Sequence, residues 1–199
     1  ESLGAEVTGY ALPPNTTPTT APRLIGRFEL RQMIGRSHAS STWLAYDPRL
    51  EQELLLCVPR ALPTTNSERD AWSQDVLSAT RLKHPRLAEV IEIGVHEGWP
   101  FVACQRNGPT LQERVSAGMP LTPVEVAQLT VDVLEAMAYA HEAGVAHRDL
   151  GLHNITLDSQ GHAQMAGLAV GLEPLSPNQG SRPVRSRQEA REASERDLL

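Results

Sequence analysis

Five side chains able to do chemistry fall within eight positions of this chain, His147-Arg148-Asp149-Leu150-Gly151-Leu152-His153-Asn154. Imidazoles beside a carboxylate raise metal binding first. His141, His147 and His153 are spaced six apart, however, which is not the i, i+4 pattern of a helix-borne zinc pair, and no cysteine pair accompanies them. No metal site is expected. The two cysteines, Cys57 and Cys104, sit far apart in apolar, strand-like segments. They are expected to be reduced and buried, as thiols of a cytoplasmic protein usually are. Lys83 is the only lysine among 18 basic residues, and 24 acidic residues bring the net charge to −6. That balance gives no basic footprint for nucleic acid. No apolar run approaches the roughly 18 residues that span a bilayer, so no membrane partner is expected.

The elements that must position these groups can be read from periodicity and punctuation. Residues 1–24 carry Pro13-Pro14, Pro18 and Pro22 among threonines with few charges, the composition of a flexible leader or linker. Phe28, Leu30 and Ile34 predict a first strand and Ser41 to Tyr46 a second, with Asp47-Pro48 as the turn. Leu54 to Val58 is a third, fully buried strand. Asn66 or Ser67 caps a helix to about Leu82, in which Trp72, Val76, Ala79 and Lys83 share a face before His84-Pro85 ends it. Two more strands follow, Glu89 to Gly94 and Pro100 to Cys104, around the turn His96-Glu97-Gly98. Thr122, Pro123 and Glu125 announce the clearest helix, with Val126, Leu129, Val133, Met137 and Ala140 as its apolar stripe and Gly144 as its stop. Short strands are expected at 155–157 and 163–166. Residues 174–186 are rich in Pro, Ser and Gly, and Arg187 to Leu199 is densely charged.

Five strands with one helix inserted after the third, followed by this loop, resemble the eukaryotic-type Ser/Thr protein kinases of bacteria. The resemblance runs from about Arg27 to Glu173, and 195–199 look like the start of the large-lobe core helix, where the sequence stops. It implies an α+β, bilobal kinase-like fold: a five-stranded antiparallel sheet plus one helix over 25–108, then a partial helical C-lobe over 109–199. The 147–154 stretch is similar to H-R-D-L-x-x-x-N, so Asp149 takes the position that orients the accepting hydroxyl and Asn154 that of a metal ligand. His147 takes a packing position beneath the loop. Gly35-Arg36-Ser37-His38-Ala39-Ser40 resembles the glycine-rich loop, with Gly35 kept and Ser37 and Ser40 in place of the next two glycines. Leu54 to Pro59 resembles V-A-L-K-V-P, which puts Cys57 at the phosphate-binding lysine and Leu55 at the small residue against the base.

The same comparison puts Asp75 at the lysine's helix partner, where without that lysine it is expected to be a solvated carboxylate. Cys104 falls at the gatekeeper, and Gln105-Arg106-Asn107 at the hinge. Gly151 stands where a second phosphate lysine would be, Gly167 where the magnesium aspartate would be, and Leu168 in the aromatic position beside it. Catalysis of phosphoryl transfer rests on positioned charge. These changes together therefore imply a pseudokinase-like regulatory or scaffolding module with vestigial Asp149 and Asn154 and no expected cofactor. Two alternatives stay open: a divergent active kinase using ATP and magnesium, and an interaction module with a collapsed pocket. A protein partner or a fused signalling domain is implied, and an incomplete C-lobe would expose apolar surface that a second copy could cover. Ser176, Ser181 and Ser186 occupy the stretch where an activation segment would lie.

Overall fold

The computed structural model describes residues 23–172; residues 1–22, the 174–186 stretch with its serines and the charged 187–199 stretch lie outside the described residues. An antiparallel sheet comes first, with strands β1 (Leu24–Ile25), β2 (Phe28–Arg36), β3 (Ser40–Asp47), β4 (Gln52–Pro59), β5 (Val90–His96) and β6 (Trp99–Gln105). Its order is β1-β2-β3-β4-β6-β5. The sheet therefore has six strands, not the five expected, because Leu24 and Ile25 at the end of the supposed leader fold back onto Glu29 and Phe28. Two residues are too few to show a period of two.

β4 is the centre of this sheet, and it is buried on both faces. Leu55 and Cys57 point into one cluster with Trp72, Val76, Val102 and Cys104. Leu54 and Leu56 point into another with Phe28, Phe101, Ala45 and Ala103, as the alternation of a strand demands. Arg27 closes the second cluster by lying over the Phe28 ring and pairing with the fully buried Asp47 through two 2.9 Å contacts.

Helix α1 (Asn66–Thr80) packs on the first cluster through Trp72 and Val76, while Ala79 joins a different cluster with Met137, Ala140 and Met165. Its cap is Thr65, one residue earlier than the sequence suggests, because Thr65 and Glu68 complete a reciprocal capping box. It also stops at Thr80, so Lys83 leaves the helical face and pairs at the surface with Glu89 at 2.7 Å.

Past the hinge, Thr110 and Glu113 form a second capping box that starts the short helix α2 (Leu111–Ser116), which the sequence reading missed. Helix α3 (Pro123–Glu142) is the longest, with Thr122 and Glu125 as its box. Its buried face departs from the expected stripe: Ala136 joins it and Val133 is only half-buried. Val126 is exposed, and Asp132 is buried instead. The Asp132 carboxylate accepts from the Ala163 N–H at 2.9 Å and from His162 Nδ1 at 3.0 Å, and it faces Arg86 Nε at 3.2 Å. That network ties α3 to the small sheet of β7 (Ile155–Leu157) and β8 (Ala163–Met165). The result is the expected bilobal α+β arrangement, with the His147–Asn154 loop between the lobes. No helix among the described residues is long and apolar enough to cross a membrane.

Candidate functional site

The loop between α3 and β7 is organised by His147. Its ring is buried, Nδ1 accepts from the Asp149 N–H at 3.4 Å, and Nε2 lies 3.1 Å from the Ala166 carbonyl. Those contacts fit the packing position expected of it. Arg148 follows with φ of +69°, a left-handed backbone that L side chains rarely adopt. Its guanidinium reaches Asp75 on α1, 2.7 Å away. Asp75 is therefore not the merely solvated carboxylate expected, because the arginine of the loop takes the place of the absent lysine as its partner. Asn154 spends both ends of its amide inside the loop: Nδ2 donates to the Asp149 carbonyl, and Oδ1 accepts from the Gly151 N–H at 3.0 Å.

Asp149 is almost fully buried, and its carboxylate accepts a hydrogen bond from the Ser40 hydroxyl. Burial pushes this carboxyl up. The approach of the His153 ring and the Ser40 and Ser37 hydroxyls outweighs burial and holds it at about 2. His153 is also buried. Its Nε2 stands 4.0 Å from Asp149 Oδ2 and has no hydrogen-bond partner.

The turn between β2 and β3 faces this loop. Ser37 Oγ accepts from the N–H groups of Ala39 at 2.8 Å and Ser40 at 3.0 Å, so a hydroxyl of the chain satisfies the donors that such a turn would otherwise aim outward. Arg60, which strand alternation turns away from Cys57, braces the same turn from outside by donating to the Ser37 carbonyl at 2.8 Å. Leu55, Cys57 and Cys104 are brought together as expected. β4 and β6 pair Leu55 with Cys104 and Cys57 with Val102, and all three side chains are buried in one cluster with Ile34, Ala166 and Val170. Both thiols are free. Contact with the Cys104 thiol, with burial, pushes Cys57 up, so it is a neutral, unreactive group. At the hinge, the Gln105 N–H donates to the Glu89 carbonyl at 2.8 Å, and the Asn107 amide bonds the Gln164 side chain at 2.7 Å.

Residues 29–177 match the family model described as the protein kinase domain. The chain belongs to the protein kinase family. Among curated relatives it is 29% identical over 154 residues to a probable serine/threonine-protein kinase of Streptomyces coelicolor, covering 74% of this chain and 23% of that one. It is 27% identical over 154 residues to the serine/threonine-protein kinase PrkC of Bacillus subtilis, covering 75% and 24%. It is 29% identical over 147 residues to the serine/threonine-protein kinase PknB of Mycobacterium leprae, covering 71% and 24%. The chain thus spans about a quarter of the length of these relatives.

Kinases ordinarily bind ATP with magnesium, and the residues of this kinase-family cleft do not fit that ligand. Gly167 offers no side-chain carboxylate. Its φ is +76°, and a Cβ there would lie 3.0 Å from Cys57 Sγ, so an aspartate would meet both strain and the thiol. The turn's N–H groups are bonded to Ser37, and Asp149 is bonded to Ser40. A Cβ on Gly171 would lie 3.1 Å from Ala39 Cβ and 3.3 Å from Asp149 Cβ, so a side chain there would be crowded. Leu168 is buried with Ala79, Met137 and Met165, filling the aromatic position. Sequence reasoning missed the placement of His153 and the Arg148–Asp75 pair. Only the residue types were visible, and the contacts join residues far apart in the chain.

Proposed function

We propose that this kinase-family chain is a pseudokinase-like regulatory or scaffolding module of a bacterial signalling protein. It transfers no phosphate and holds no magnesium-nucleotide. One observation carries the reading: the carboxylate that would orient an accepting hydroxyl is bonded to a hydroxyl of the chain's own glycine-loop remnant, Ser40. Cys57, Gly151 and Gly167 add no cation and no metal ligand where phosphoryl transfer needs them. The module acts in the cytoplasm by contact with a protein partner or a fused signalling domain, with its lobes divided near Gly108. Val124, Val131 and Leu134, exposed on α3, supply apolar area for such a partner or a second copy.

The test is phosphate incorporation from ATP and magnesium, comparing the full chain with Asp149→Asn. Equal background in both is expected. Incorporation that the substitution abolishes overturns the reading in favour of a divergent active kinase. A specific observation also favours a purely structural module: Leu55, Cys57 and Cys104 are all buried within the protein core. Calorimetry with adenosine, which carries no phosphate, separates the two, since a structural module with a collapsed pocket takes up none.

A further inference from the structure

Two glycines of the cleft make room for one side chain. A Cβ built on Gly35 would lie 2.4 Å from His153 Cβ and 2.9 Å from its Cγ. One built on Gly151 would lie 2.6 Å from His153 Cε1 and 2.8 Å from its Nδ1. Contacts this short cannot be accommodated without displacement. Backbone conformation is not what requires glycine at either place. Gly151 has φ of −162°, an extended value open to any residue, and Gly35 is not among the positive-φ glycines. Space is what requires it. The imidazole therefore touches both the strand that leads into the glycine-loop remnant and the catalytic-loop remnant, 118 positions away from Gly35 in the chain.

We propose that His153 is a wedge that stands in for nucleotide phosphates between these two segments, and that Gly35 and Gly151 are glycines because of it. The ring fills the gap that a phosphate chain would otherwise hold open, and the two cannot share it. Gly35 thus changes meaning, from a relic of phosphate binding to a seat for imidazole. Gly151 changes with it, from a lost lysine to clearance. The proposal deepens the pseudokinase-like reading given above and rests on it. It adds that steric filling by one residue, and not only missing charge, excludes the phosphates.

A double-mutant cycle on the full chain tests the seat. Gly35→Ala is expected to lower the thermal midpoint by about 5 °C in the wild-type background, because the new methyl meets the root of the His153 side chain. In a His153→Gly background, which removes the Cβ as well as the ring, it is expected to lower it by less than half as much. Gly151→Ala, whose methyl meets ring atoms that alanine at 153 removes, gives a second cycle in a His153→Ala background should the glycine variant fold poorly. A second readout follows the cleft itself. Cys57 and Cys104 are the only thiols and both are buried, so a disulfide reagent labels them only when the structure opens. His153→Ala is expected to label at least about tenfold faster, while Leu129→Ala, in a separate core cluster, does not at matched stability.

Equal losses from Gly35→Ala in both backgrounds overturn the wedge, as does labelling that tracks global stability alone. Either failure leaves the phosphate-incorporation result intact. Conversely, incorporation abolished by Asp149→Asn overturns the proposed function whatever the cycle gives.

Discussion

Asp149 is tied into the fold by the Ser40 hydroxyl as well as placed by its motif. Its carboxyl, held at about 2, sits below the roughly 3.9 of an unfolded aspartate. A depressed folded value favours the native state above the unfolded pKa, and that contribution is lost as pH falls through the folded one. Stability should therefore decline between about pH 4 and about pH 2, by about 1–2 kcal/mol once solvent screening is allowed for. Asp149→Asn should flatten that part of the acid limb in denaturant titrations. Ser40→Ala should reproduce part of the effect, costing about 1.5 kcal/mol at neutral pH for a hydrogen bond to a charged group. The identities of Asp149, Asn154, Cys57 and Gly167 were legible in the sequence because a short motif fixes them. The use made of them was not. Ser37 and Ser40 could be seen only as replaced glycines, since nothing local says that one hydroxyl turns inward to its own backbone and the other reaches a residue 109 positions on.

Helix α1 is joined to the catalytic loop by charge as well as by packing. The Asp75–Arg148 pair is partly exposed, with Asp75 at 36% and Arg148 at 11%, so it belongs among modest ion pairs. Asp75→Asn should cost about 0.5–1 kcal/mol in low salt, and the difference should shrink in 1 M salt as screening grows. Denaturant midpoints at the two salt concentrations measure this. Thr110→Ala should cost more, about 1–2 kcal/mol, because the cap is fully buried and Glu113 loses the two bonds that the Thr110 hydroxyl makes to its N–H and its carboxylate. The capping signal at Thr110 and Glu113 is written as plainly as the one at Thr122 and Glu125. It was overlooked because the six residues of α2 are too few to show a helical period. Strand alternation placed Leu55 and Cys57 on one face correctly. Asp132 defied the pattern on α3, since a buried carboxylate is intelligible only once its partners on β8 and at Arg86 are known.

At the scale of the molecule, the largest apolar cluster ignores the division between lobes. Ile34, Leu55, Cys57, Trp72 and Val76 come from one side, Ala166 and Val170 from the other, and Trp72 Nε1 donates to the Val170 carbonyl at 3.1 Å. Lobes that share a core should unfold together. Thermal unfolding of the full chain should give one transition for residues 23–172, with coincident curves from far-ultraviolet dichroism and tryptophan fluorescence. Two separated transitions would show that the shared cluster does not couple the lobes. The bilobal plan was visible from the order of elements, whereas this merging was not. It depends on where a loop after β8 comes to rest, and loops carry little periodic signal.

The crowding around His153 also sets an order on any attempt to place a lysine at position 151. A lysine cannot enter position 151 while the imidazole stands 2.6 Å from where its first side-chain carbon would be. Position 153 must shrink first, and a chain that has shrunk it without gaining the lysine holds neither wedge nor cation. The exchange therefore passes through an intermediate poorer than either end. Under the proposed function such a step acts as a ratchet, and an engineer introducing a phosphate-binding lysine would have to change both positions at once.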